Sequence, residues 1–221
     1  MPERALVDND VALKISCYGL VDETVAAITI EGVAPAMLGV GRFVIRGRLA
    51  KARNIADAAK ATAAFERLLG AISAVEPDEA ELSLAADLEA EANRRDLELD
   101  GGESQLLAML ARRGCALLLT GDKRAISAIA ATAAELAASR IACLEQLMGE
   151  LVARGDASGA RRGVCAEPHV DRAVTACFGC SRLAPPTADE IAEGLASYVR
   201  HLDRAAPGVL LPGIDLAEIA A

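Results

Sequence analysis

Two short apolar runs in this 221-residue chain each lead into an aspartate. Ala5-Leu6-Val7 meets Asp8, and Cys115-Ala116-Leu117-Leu118-Leu119 passes through Thr120-Gly121 to Asp122. A third acid, Glu103, follows the flexible turn Asp100-Gly101-Gly102 and falls in the first turn of a helix continued by Ser104-Gln105-Leu106-Leu107-Ala108. Carboxylates gathered in one place repel one another unless a cation neutralises them. Asp8, Glu103 and Asp122, if brought together, therefore call for Mg2+ or Mn2+ with oxygen ligands and open water positions. Such a cation makes water a better nucleophile and lines it up with a phosphodiester, so the chemistry to expect is hydrolysis. Each acid also suits a local task, because Asp after a strand and Glu in a first helical turn are ordinary caps. Their joint placement is what points to a site, with Thr120 and Asn9 beside them as orienting or capping groups.

The elements that would have to position these acids alternate between strand and helix. Residues 5–7 read as a strand and Val11 to Ala27 as a helix. Pro35 to Ala50 reads as a second helix behind an N-terminal proline, and Ile55 to Leu69 as a third. Ala71 to Val75 is a short strand, Pro77 to Arg95 a helix, and Leu97-Glu98-Leu99 a brief strand or an extended lead. Gly114 ends the helix that carries Glu103, Cys115 to Leu119 has the fully apolar character of a strand inside a parallel sheet, and Lys123 to Ala138 is a long helix. Arg140 to Leu144 and Glu145 to Ala153 add one more strand and helix.

This alternation predicts a three-layer α/β/α fold with a mostly parallel central sheet, whose functional edge lies at the C-terminal ends of its strands. If the strands ending in Asp8 and Asp122 are neighbours, the strand spacing of about 4.8 Å brings their acids close together. The glycine-rich stretch Arg154 to Gly163 marks a change of texture, so residues 1–150 are expected to form the α/β domain and 151–221 a helical C-terminal extension. Within the extension, Thr187-Ala188-Asp189-Glu190 caps an amphipathic helix that runs to about Arg204.

Three sets of residues carry a resemblance to the PIN domain: Leu6-Val7-Asp8, Leu99-Asp100-Gly101-Gly102-Glu103, and Leu117-Leu118-Leu119-Thr120-Gly121-Asp122 with Lys123. It spans about residues 4 to 144. The resemblance implies a carboxylate cluster that binds Mg2+ or Mn2+ for phosphodiester hydrolysis, often of RNA. By position, Asp8 matches the acid of the first strand, Glu103 the acid that opens a central helix, and Asp122 the acid after the fourth strand. A further acid often joins this set, and here Asp57, Glu66 and Asp10 are the candidates. Many small toxin ribonucleases of the family carry a second acid shortly after the one matching Asp122, whereas Lys123-Arg124-Ala125-Ile126 follows here.

Composition sets the remaining bounds. The net charge of −9 argues against broad, charge-driven nucleic-acid binding but does not exclude a nuclease, since metal-binding carboxylates concentrate negative charge at a site. Basic residues are local, with Arg42, Arg46, Arg48, Lys51 and Arg53 in one patch and Arg161-Arg162 in another. Aromatics make up 2% of the chain, too few for much base stacking. No apolar run is long enough to span a membrane and the opening residues lack a secretory pattern, so the expected location is cytoplasmic, with all six cysteines reduced.

Cys165, His169, Cys177 and Cys180 are chemically sufficient for Zn2+, but their apolar company favours a helical, metal-free segment packed on the core. Glu167 and Asp171 in the same segment are expected to be solvated, the alternative being that they reach the carboxylate cluster if the extension folds over the sheet edge. The functional expectation is a Mg2+- or Mn2+-dependent nuclease acting on RNA. The alternative is a non-catalytic interaction or regulatory protein of the same fold that binds a protein partner.

Overall fold

The computed structural model describes residues 3–51, 53–155, 157–212 and 216. Its strands are β1 (Ala5–Val7), β2 (Ala36–Leu38), β3 (Ser73–Val75), β4 (Leu117–Thr120) and β5 (Ile141–Cys143). They form one sheet in the order β3-β2-β1-β4-β5, and every pairing is parallel. From β1 the chain builds outward through β2 to β3, then returns to add β4 and β5 on the other side. The reversal lies between β1 and β4, and in open parallel sheets ligands bind at such a point, outside the C-terminal strand ends.

Strands β1, β2, β4 and β5 are buried on both faces, and their alternate residues enter different cores, whereas edge strand β3 buries only Val75. Ala5, Val7, Leu117 and Leu119 pack with α1 (Asn9–Tyr18), α2 (Val21–Ile28), α4 (Ala58–Ala71) and α9 (Leu144–Ala153). Leu6 and Leu118 face the opposite layer, made by α5 (Glu79–Arg94), α6 (Gly101–Arg113), α7 (Lys123–Thr132) and the short α8 (Ala134–Ala137). Two cores on opposite faces of one sheet make the three expected layers, and the sheet is wholly parallel. Leu118 is 2% exposed, and truncating such a residue to alanine costs about 2 to 5 kcal/mol.

Residues past 150 are also packed into these cores. Helices α10 (Ala157–Ala166) and α11 (Arg172–Cys177) add Val164 and Val174 to the first core. The last helix, α12 (Ala188–Ala205), begins with the Thr187/Glu190 capping box and places Ile191 and Leu195 in the first core but Leu202 in the second. It thus crosses from one layer to the other past β5. The following residues run beside that strand, where Leu211 N–H donates to Ile141 O at 2.8 Å, covering an otherwise open edge.

The elements depart from expectation in several places. The helix expected over Val11 to Ala27 is two helices, because Gly19 takes a left-handed conformation (φ 70°) that closes α1. The helix expected from Pro35 is preceded by β2, and α3 begins only at Gly41 and ends at Lys51. The long helix after Asp122 breaks at Ala133 (φ −153°), and Leu97-Glu98-Leu99 forms no strand. The glycine-rich stretch near 154–163 becomes helical from Ala157, where Gly163 lets α10 approach α1 closely: a Cβ there would strike the carbonyl of Tyr18. Among the described residues no helix is long and apolar enough to cross a membrane.

Candidate functional site

Parallel pairing of Leu6 with Leu118 and Val7 with Leu119 sets the site, because Asp8 then emerges beside Thr120. Asp8 N–H donates to Leu119 O at 2.9 Å, extending the ladder by one step. The Asp8 side chain caps α1 by accepting from Asn9 N–H at 2.6 Å, and its other oxygen accepts from the Thr120 hydroxyl at 3.3 Å. The same hydroxyl accepts from Asp122 N–H at 3.2 Å, so one side chain joins the two strand-end acids. Asp122 in turn caps α7, accepting from the N–H groups of Arg124 (2.8 Å) and Ala125 (3.3 Å).

Glu103 arrives from the opposite wall. Asp100 caps α6 by accepting from Gly102 and Glu103 N–H, and Glu103 reaches back to accept from Asp100 N–H at 2.9 Å. This capping box aims both carboxylates at one corner. Asp8, Asp10, Asp100, Glu103 and Asp122 all line a single open cleft of about 490 Å3, whose remaining lining includes Asn9, Arg48 and Arg124. Glycine makes the close fit possible at two points: a Cβ on Gly121 would strike the Asp10 carboxylate, and one on Gly41 would strike the Asn9 side-chain oxygen.

Crowding and burial perturb these acids. Burial, reinforced by Asp10 and more weakly by Asp100, pushes Asp8 up to about 6 against the opposing hydrogen bonds from backbone N–H groups. Burial pushes Glu103 up to about 8, with Asp100, Asp122 and Asp8 adding repulsion. Asp122 behaves oppositely. Its burial is outweighed by hydrogen bonds from Arg124 and Ala125, which hold it below the usual carboxylate range.

The three acids singled out in the sequence thus share one cleft, accompanied by two more. Of the candidates for a fourth, Asp10 lines the cleft and pairs with Lys14 at 2.7 Å. Asp57 instead caps α4, and Glu66 makes a two-pronged ion pair with Arg46. Asp100 was missed, although its Asp-x-x-Glu spacing to Glu103 is the signature of a capping box that would carry both acids to one place.

Compared with known proteins, the chain matches no family model, no curated protein and no solved structure.

The cleft is walled by carboxylate oxygens, the donor type that hard cations take. Among the described residues, however, no three Asp, Glu, His or Cys side chains are grouped closely enough to hold a metal ion. The reason is local: Asp100, Glu103 and Asp122 are turned onto helix N-termini by their capping hydrogen bonds.

The cysteine segment corrects two expectations. Cys165 and Cys180 form a disulfide across 15 residues, so they are oxidised, and two thiols of the zinc set are consumed. Cys17, Cys115, Cys143 and Cys177 stay free. The segment is not one helix either, because a turn at residues 167–170 separates α10 from α11. That turn gives Glu167 and Asp171 structural partners in place of solvent. Glu167 is 2% exposed and accepts from Ala56 and Asp57 N–H at 2.6 and 2.7 Å, capping the lead into α4 from a distant part of the chain. Asp171 caps α11 and pairs with Lys14, the cation that also holds Asp10.

Proposed function

We propose that the cleft at the β1/β4 switch point is the active site of a PIN-type, Mg2+- or Mn2+-dependent nuclease acting on RNA in the cytoplasm. The observation that carries this reading is the convergence of Asp8, Asp10, Asp100, Glu103 and Asp122 on one cleft at the sheet's functional edge. Proteins seldom concentrate that much like charge without a counter-ion, and burial makes the arrangement costlier still.

A bound Mg2+ or Mn2+ would neutralise the carboxylates and polarise a phosphodiester. For Asp8, Glu103 and Asp122 to hold it, Glu103 and Asp122 would have to turn from the helix N-termini they cap, with Asp10 and Asp100 lining the cleft beside them. Thr120 fixes the Asp8 carboxylate through its hydroxyl, Gly121 leaves room for Asp10, and Lys14 holds the Asp10 carboxylate in an ion pair. Arg48 supplies positive charge at the rim for an approaching phosphate, whereas Arg124 is paired with Glu98 and Asp122.

A non-catalytic role in binding a protein partner draws support from one observation: Asp100, Glu103 and Asp122 are engaged as helix caps. The deciding experiment combines thermal denaturation across an Mn2+ titration with cleavage of end-labelled single-stranded RNA. The nuclease reading expects metal-dependent stabilisation and cleavage, both reduced in Asp8→Asn. Absence of both in the wild type favours the binding role.

A further inference from the structure

A second hollow, richer in cations, shares Asp10 and Arg48 with the acidic cleft. Arg48, on the last turn of α3, lines both, and Lys51, Arg53 and Asn54 continue the second. Lys14 and Asp10 also line it, but Lys14 is paired with both Asp10 and Asp171. Elsewhere on α3, Arg46 is occupied by Glu66 and Arg42 lies over the Phe43 ring. Arg48, Lys51 and Arg53 differ, since among the described residues none has an ion-pair or hydrogen-bond partner. Three exposed, unneutralised cations thus border a hollow in a chain whose net charge is −9.

We infer that the hollow bordered by Arg48, Lys51 and Arg53 is a binding site for the phosphate backbone of a single-stranded nucleic acid whose neighbouring segment lies in the acidic cleft. In naming nucleic acid the inference rests on the function proposed above. The geometry adds direction: because Arg48 lines both hollows, a strand passes from the carboxylates over Arg48 toward Lys51 and Arg53. Arg48 and Lys51 are three residues apart on one helix and share a face, so successive phosphates meet successive cations. No aromatic side chain lines this hollow, and recognition there is of backbone charge and not of base identity.

The test measures binding separately from cleavage. A fluorescein-labelled 12-nucleotide oligo(U) is titrated in EDTA, by fluorescence anisotropy, against wild type, Lys51→Gln/Arg53→Gln, and a control of equal charge change, Arg94→Gln/Arg200→Gln. All four positions are exposed, and thermal denaturation verifies that the variants are folded. The inference expects roughly tenfold or greater weakening in Lys51→Gln/Arg53→Gln but not in the control. The salt dependence, log K against log [salt], should also become shallower by about 1.4, since each phosphate no longer neutralised removes about 0.7 from the slope. Oligo(dA) should bind about as well as oligo(dT).

Equal affinity of the two variants, or no binding by the wild type, overturns the site. With Mn2+ present, KM for the 12-mer should rise in Lys51→Gln/Arg53→Gln, while turnover of a dinucleotide that reaches only the acidic cleft stays unchanged. Binding that depends on Lys51 and Arg53 without any metal-dependent cleavage upholds this site and removes the nuclease reading. Cleavage of the 12-mer with KM unchanged in that variant does the reverse.

Discussion

Lys14 and Asp171 form an ion pair at 2.8 Å although 157 residues separate them, and through it the segment between α10 and α11 reaches an acid of the cleft. Lys14 simultaneously holds Asp10 at 2.7 Å. Asp171→Asn keeps the cap on α11, since asparagine caps as well as aspartate, but sets an amide N–H2 against the ammonium. Breaking a buried pair costs about 3 to 5 kcal/mol, and because Lys14 keeps Asp10 the expected loss is nearer 1 to 2 kcal/mol. Thermal denaturation should show a fall of about 5 °C. An unchanged midpoint would remove the pair from the stability of the fold.

The metal-free protein should lose stability as pH rises from about 5 to 8. Asp8 and Glu103 hold protons in the folded state that the unfolded chain gives up near pH 4. Because their folded-state pKa values are raised, to about 6 and about 8, the native state is penalised progressively as pH rises toward those values. At 1.36 kcal/mol for each pKa unit, the Asp8 contribution is on the order of 3 kcal/mol. Carboxylates held low, such as Asp122 and Asp171, act in the opposite sense, but only at more acidic pH. Melting temperatures in EDTA should therefore decline across this window, and Asp8→Asn should flatten the decline.

Asp122 separates its structural task from its proposed chemical one. Asparagine can still accept from Arg124 and Ala125 N–H, so Asp122→Asn should keep the helix cap and lower the metal-free melting temperature only slightly, through loss of the Arg124 side-chain contact that helps hold the carboxylate ionised. Asp122→Ala loses the cap and should cost about 1 kcal/mol. Both should abolish the proposed Mn2+-dependent cleavage of RNA. A variant that cleaves as the wild type does would exclude Asp122 from that chemistry.

The two folded-back helices of residues 157–177 provide a thiol count. Unfolded in the absence of reductant, the chain should titrate with four thiols, from Cys17, Cys115, Cys143 and Cys177, and with two more after reduction. Closing a loop of this length is worth roughly 3 kcal/mol in chain entropy, so Cys165→Ser/Cys180→Ser should melt several degrees lower. Six thiols without reductant would restore the reduced state expected of a cytoplasmic protein.

These elements differ in how far the sequence announces them. β1 and β4 are legible because an apolar run stops at once against an acid or a Thr-Gly-Asp turn, and the α12 boundary is legible because Thr187 and Glu190 are at capping-box spacing. β2 is hidden, since three residues, Ala36-Met37-Leu38, are too few to display a period of two, and Pro35 before them also suits a helix start. What makes them a strand is pairing with β1 and β3, which is a property of the assembled sheet. Asp8 and Asp122 can be picked out as strand-end acids, but Asp100 reads as a turn residue until its capping box with Glu103 is set against the cleft. The partners of Glu167, Asp171 and Cys165 lie across folds of the chain that local pattern does not encode.

The crossing path of α12 has a consequence for how the molecule is made. Leu195 lies in one core and Leu202 in the other, and the residues after α12 add Leu211 to the first and Val209 and Leu210 to the second, so during synthesis neither face of the sheet is fully covered until residues beyond 200 have left the ribosome. Until then the emerging chain presents apolar sheet surface on both sides, the state most open to chaperones and to aggregation. Once α12 docks, its two ends fasten both layers at once, and melting either one must peel the helix from the other. A single unfolding transition, with no stable half-structure, is the behaviour such a clasp imposes.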